Sequence, residues 1–359
     1  LKILIRTDAS AAIGSGHVFR CLALAGRLQA MGQRPVFAAR TMPPSLARRI
    51  AAAGFPLELL PPAVGRNDNG APHANWLQAT WQADAADSKI LAESLRAGMV
   101  VVDHYALDAG WETAVARNGL PVAVLDDLAD RPHQADLLVD ATLGATAQAR
   151  YRGLTNSGCR QLLGAEYVIL RDAFRKPARR TKPATDATAG LHWLVAFGGM
   201  DAAGLTARAL DALVLATGPS DRATIVIGGE NPARRALEAA ANAQGWQAIV
   251  DAPEMAPLMA MADIGIGAGG LGLWERHAMG LPGLAVIVAD NQRTQVEAAD
   301  VAGLAVRLDS ADLDKHKFAE AASAIAKNAS RRAEMAARGQ ALVDGLGAER
   351  TAMAIAALI

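Results

Sequence analysis

The sequence predicts an α/β protein built on parallel sheets in two domains, and three observations carry that prediction. Short runs rich in Val, Ile and Leu alternate with Ala-rich stretches at helical spacing, the pattern of β-α-β units around a sheet covered on both faces. The alternation occurs in two series, parted by a charged, proline-bearing stretch from Arg175 to Asp186 that lacks apolar periodicity and reads as a linker. A length of 359 residues, about twice that of a usual domain, accommodates both series.

In the first series, strands are expected at 2–6, 34–39, 98–103, 121–125, 136–140 and 166–170. The clearest helix runs from His17 to Met31, with Gly32 placed to end it. Residues 62–75, with Pro, Gly, Asn and His, read as an exposed loop. In the second series, strands are expected at 193–197, 223–227, 248–250, 264–266 and 284–288. The resulting division is a domain at 1–174, a linker at 175–189 and a domain at 190–359.

Composition narrows the function. Hydrophobic residues at 52% against charged residues at 20% supply a core and exclude a disordered chain. Thirty-six basic residues balance 36 acidic ones, so no global field draws the protein to nucleic acid or an anionic membrane. Aromatic residues at 4% argue against stacking platforms for single strands or long glycans, which leaves a small ligand in a local site. Cys21 and Cys159 show neither disulfide nor zinc-ligand spacing. No apolar run reaches the ~20 residues of a membrane span, and Leu1 to Ile5 read as a strand and not as a leader, so a cytoplasmic protein is expected.

The chemistry-bearing residues follow the strands. Arg6 to Arg20 joins the first strand to the first helix through Gly14 and Gly16, which permit close backbone approach next to a helix start. A dinucleotide fingerprint is not met, because Phe19 stands where a third small residue belongs and Arg40 stands where an acidic ribose ligand would. His17 opens the helix, where the dipole favours a neutral imidazole able to take a proton. Asp103-His104-Tyr105 and Asp126-Asp127 end two further strands. Tyr105 reads equally as an orienting hydroxyl or a satisfied phenol, and the adjacent aspartates, pointing oppositely, as structural. In the second half, Phe197-Gly198-Gly199-Met200-Asp201, Ile227-Gly228-Gly229 and Gly265 to Glu275 are glycine-bearing strand ends. The last lacks Gly-Lys-Ser/Thr and so is no phosphoryl-transfer loop, but its N–H groups suit a diphosphate, and Glu275 suits a ribose diol.

Ile5 to Ser10, Ile13 to Val18 with Arg20-Cys21-Leu22, Val101 to Tyr105, Phe197 to Asp201, and Gly280-Leu281-Pro282 with Ala289-Asp290-Asn291-Gln292 resemble the UDP-sugar hydrolases of pseudaminic acid biosynthesis over nearly the whole chain. The resemblance implies a GT-B arrangement, with two Rossmann-like domains whose parallel sheets face a central cleft and UDP bound mainly by the C-terminal one. It implies hydrolysis of a UDP-linked 2,4-diacetamido-2,4,6-trideoxy-hexose by water, with inversion and without metal or cofactor. Carried over by position, His17 is the general base, Tyr105 and Asn291 lie near the sugar, and Glu275 holds the ribose. Asp8, Gly14, Gly16, Arg20, Gly198, Gly199, Gly228, Gly269, Gly270 and Gln292 are then expected to contact substrate or UDP. It also implies that a last helix, 348–359, packs back on the first domain. One departure stands out: Leu271-Gly272-Leu273 occupies the place of the family's phosphate-binding Ser/Thr hydroxyls. His277, beyond the first turn of that helix, is expected at the surface. Two alternatives stay open, a GT-B glycosyltransferase using an acceptor hydroxyl and a binding module that leaves the nucleotide sugar intact.

Overall fold

A computed structural model describes residues 1–62, 65–116, 119–144, 149–175, 190–199, 201–311 and 313–359. The chain divides into two compact units, Leu1–Arg171 with Leu346–Ile359, and Asp172–Gly345. Apart from Arg175, the linker expected at 175–189 lies outside the described residues, as does Met200.

The first unit runs β1 (Lys2–Thr7), α1 (Gly16–Ala30), β2 (Arg34–Ala39), α2 (Pro44–Ala52), β3 (Leu57–Leu59), α3 (Trp81–Leu95), β4 (Ala97–Asp103), α4 (Ala109–Val115), β5 (Val122–Leu125), β6 (Leu137–Asp140) and β7 (Arg160–Leu163). All strands pair in parallel in the order β3-β2-β1-β4-β5-β6-β7. The two-residue period of β1 sends Ile3 and Ile5 to one face and Leu4 to the other, so each face has its own core. Each fully buried aliphatic side chain contributes about 1.5–3 kcal/mol.

The second unit runs β8 (His192–Ala196), α5 (Leu205–Ala216), β9 (Arg222–Ile227), α6 (Arg234–Ala243), β10 (Gln247–Val250), α7 (Met255–Met261), β11 (Ile264–Ala268), α8 (Leu271–Ala278), β12 (Gly283–Ile287), α9 (Arg293–Val301), β13 (Val306–Asp309), α10 (Lys315–Lys327) and α11 (Ala329–Leu342). Its parallel sheet is ordered β10-β9-β8-β11-β12-β13. The chain then returns as α12 (Gly347–Ala356), whose Ala348, Ala352 and Ile355 join Val18, Cys21 and Leu24 in the first unit's core. Among the described residues no helix is long and apolar enough to cross a membrane.

Two local expectations are corrected. Residues 166–170 form no strand: Gly164, at φ 124°, ends β7, and Ala165–Tyr167 turn as a 3-10 helix. The apolar run there serves α12 instead, since any side chain at Gly347 would collide with the Val168 carbonyl. The 62–75 segment is not wholly exposed, because buried Asn67 donates to the Ala106 carbonyl at 2.8 Å and Asn69 to the same oxygen at 3.0 Å.

Candidate active site

In the first sheet the winding direction reverses between β1 and β4, and a crevice opens at the carboxyl ends of such a pair. Thr7 and Asp103, the last residues of these strands, are register partners. After β1 the chain doubles back through Gly14, at φ 80°, whose N–H donates to the Ser10 carbonyl at 2.8 Å, and Gly16 then opens α1. That turn delivers His17 in the first turn of α1, with Nδ1 2.5 Å from Oδ1 of the fully buried Asp103. A carboxylate only accepts, so in the neutral imidazole Nδ1 holds the proton and Nε2 keeps the lone pair. Among the described residues Nε2 has no hydrogen-bond partner. This is the arrangement of an oriented general base.

Arg20, one turn further along α1, completes the centre. Its Nε and one terminal nitrogen donate to Asp103 at 2.6 Å each, and the other terminal nitrogen pairs with Asp127. Burial opposes the Asp103 charge, but Arg20 and His17 outweigh it and hold the carboxyl well below its usual range. Tyr105 donates its hydroxyl to Asp127 at 2.7 Å, and burial, with the nearby Asp127 charge, pushes the phenol well above its ordinary value. The phenol therefore stays protonated, with only its oxygen lone pair left for a further partner. Its ring meets that of His17 edge-on at 4.5 Å. Arg20, expected to contact substrate, donates from each of its three guanidinium nitrogens to Asp103 or Asp127.

Two residues of this centre escaped the sequence reading. His73 and Trp76 come from the segment read as a loop and its adjoining 3-10 turn, Ala74–Leu77. Their rings approach at 4.3 Å, and Trp76 lies nearly parallel to Tyr105 at 5.9 Å. The available signal was the density of rings at 73–76 in a chain poor in aromatics. Asp127, read as structural, joins the site, whereas Asp126 turns away to Tyr151, Arg131 and His133.

Asp8 requires correction. It is fully buried; its oxygens accept two bonds from Arg6, at 2.6 and 2.9 Å, and one from the Arg40 N–H at 2.7 Å, with His104 Nε2 at 3.1 Å. Asp84 mirrors it, receiving Arg6, Arg40 and the Trp111 indole. These groups brace the ends of β1 and β2 from within, and Asp8 is fully buried among them. Arg40, which stood against a dinucleotide site, belongs to this brace.

In the second sheet the reversal falls between β8 and β11. Gly198, at φ 87°, and Gly199 follow β8, and Gly228 follows β9. A Cβ at Gly228 would collide with the Gly199 carbonyl, so only glycine lets these two loops touch. The loop after β11 leads to α8, whose N-cap Gly270 makes no side-chain cap bond. The N–H groups of Gly270, Leu271 and Gly272 have no acceptor among the described residues. Gly269 differs from expectation: its N–H is taken by the Val286 carbonyl at 3.2 Å and Gln292 Oε1 at 3.1 Å. Gln292, also expected at the ligand, thus fastens the loop through its oxygen. Glu275 is buried in α8, and Asn291 lies on the 3-10 turn Asp290–Gln292 with Oδ1 shielded and unpartnered among the described residues. His277 is buried, contrary to the surface expectation, because α8 is covered by α11 where Gly339 packs on it. Burial and Arg276 push its imidazole down to about 3. Among the described residues no group of three or more His, Cys, Asp or Glu is arranged to hold a metal ion.

Comparison with known proteins defines the class of fold: two parallel-sheet Rossmann-like domains of the GT-B glycosyltransferase type. MurG of Acinetobacter baumannii superposes with a TM-score of 0.69 at 17% identity, covering 99% of each chain. In sequence, the chain is 24% identical over 309 residues to an uncharacterized protein of Methanocaldococcus jannaschii, covering 84% of this chain. It is 24% identical over 183 residues, 51% of the chain, to the UDP-2,4-diacetamido-2,4,6-trideoxy-beta-L-altropyranose hydrolase of Campylobacter jejuni. These matches span 58% and 56% of the two relatives' lengths. No protein-family model matches the sequence.

Proposed function

We propose that this protein hydrolyses a UDP-linked diacetamido-trideoxy sugar at its anomeric carbon, releasing UDP and the free sugar with inverted configuration. The observation that carries the reading is the His17–Asp103 pair, which leaves one imidazole nitrogen free at the sheet's switch point. Water attacks the anomeric carbon while His17 Nε2 removes its proton. The bond from that carbon to the diphosphate oxygen breaks, and the electron pair leaves with UDP. A positioned base of this kind contributes about 10²–10⁴-fold. The free N–H groups at the start of α8 suit the charge that develops on the departing diphosphate. The sugar's identity rests on the Campylobacter relative, and UDP suits the buried Glu275 as an acceptor for ribose hydroxyls. On this reading Tyr105 orients the sugar, Asn291 is a ligand contact of the second unit, and the site is a water-using variant of the glycosyltransferase fold.

The test follows UDP release from UDP-2,4-diacetamido-2,4,6-trideoxy-β-L-altropyranose in water alone and with added sugar acceptors. Release in water, unchanged by acceptors, supports hydrolysis. Release that requires an acceptor assigns a glycosyltransferase, and binding without release assigns a nucleotide-sugar binding module.

A further inference from the structure

α8 carries a cation that the proposed reaction has not used. Arg276 is only 5% exposed, yet its one hydrogen bond among the described residues is a long one, from a terminal nitrogen to the Ala268 carbonyl at 3.4 Å. No carboxylate pairs with it among the described residues. Burial lowers its pKa to about 10, with Glu275 opposing that shift, and its charge is felt by neutral His277. A buried guanidinium with no carboxylate hydrogen-bonded to it is expensive to keep.

The strand beneath is cut to fit it. A Cβ at Gly265 would stand 2.7 Å from Arg276 Cδ, and one at Gly267 would collide with a terminal nitrogen. Two glycines, on the same face of β11 with one residue between them, therefore let the side chain lie along the strand toward its carboxyl end. The guanidinium arrives at Ala268, where β11 ends and the loop with the free N–H groups begins. The first turn of α8, directly after that loop, bears Leu271 and Leu273 where hydroxyls were expected.

We propose that Arg276 is the fixed cation of a diphosphate site at the β11–α8 loop, supplying from below the attraction that loop hydroxyls would otherwise give. This rests on the nucleotide-sugar reading for the identity of the ligand, but not on hydrolysis. Its ligand class is a nucleoside diphosphate or inorganic pyrophosphate, bound by charge and backbone N–H groups together.

Calorimetry on the full chain with UDP, inorganic pyrophosphate and uridine tests it. Arg276→Met should weaken UDP and pyrophosphate about ten- to hundredfold and leave uridine within about twofold. Arg276→Lys should recover part of the loss, and Leu271→Ser in the Arg276→Met background should do the same. A folded Arg276→Met protein that binds UDP as the wild type does overturns the proposal. If that variant does not fold, ¹⁵N resonances of the Arg276 guanidinium in the wild type decide: a shift on titration with pyrophosphate supports the assignment, and no shift overturns it. Failure of the wild type to bind either diphosphate removes the nucleotide-sugar reading as well, whereas tight binding indifferent to Arg276 removes this inference alone.

Discussion

His17 Nδ1 and Asp103 Oδ1 lie 2.5 Å apart across 86 residues of sequence, joined because β1 and β4 are neighbours in the sheet. Asp103 holds one tautomer and one ring orientation, so it acts through His17. Asp103→Asn can present an N–H to Nδ1 and turn the lone pair inward. The expected result is a loss in kcat of about 10²–10⁴-fold with UDP affinity unchanged, measured by initial rates and calorimetry.

The Arg6–Asp8–Asp84–Arg40 brace is buried and doubly paired, so removing one carboxylate unbalances the buried charge. Asp84→Ala leaves Arg6 and Arg40 short of a carboxylate and the Trp111 indole without its acceptor. Denaturant unfolding should show a loss of about 3–5 kcal/mol.

Much of the fold was legible because strands buried on both faces must be apolar throughout, as Val100-Val101-Val102 and Leu284 to Ile287 are. Edge strands are not under that constraint. β3, Leu-Glu-Leu, and β13, Val-Arg-Leu-Asp, are short, polar and half exposed, and neither was anticipated. The placement of His17, Tyr105 and the glycine loops after strands was legible from the apolar runs that precede them. The partnership of His17 with Asp103 was not, because it depends on strand order, which periodicity does not encode. The commitment of Asp8, Arg20 and Gly269 to internal partners was hidden for the same reason.

Stability should change with pH on both sides of neutrality. Burial opposes the His133 charge, but Asp126 and Glu112 outweigh it and raise the imidazole to about 9, above its ordinary 6.5. A raised folded value stabilises fully below pH 6.5, and the stabilisation is lost as pH rises through about 9. His277, lowered from 6.5 to about 3, works oppositely: its contribution is present above pH 6.5 and lost as pH falls toward 3. Tm measured against pH should fall in both directions; His133→Gln should flatten the alkaline limb, and His277→Leu the acid one.

Gly228→Ala should damage the second unit's loops. Its Cβ would strike the Gly199 carbonyl, so the Phe197–Gly199 turn must move. UDP affinity is expected to drop about tenfold or more, with an overpacking cost of about 1–3 kcal/mol in unfolding measurements.

Proton NMR of the UDP-diacetamido sugar mixed with wild type and with His17→Asn, followed from the first minutes, bears most directly on the oriented base. The oriented base requires that wild type releases UDP with the inverted anomer appearing first, while His17→Asn binds UDP and releases almost none. UDP release by His17→Asn at the wild-type rate, or first appearance of the retained anomer, would contradict it.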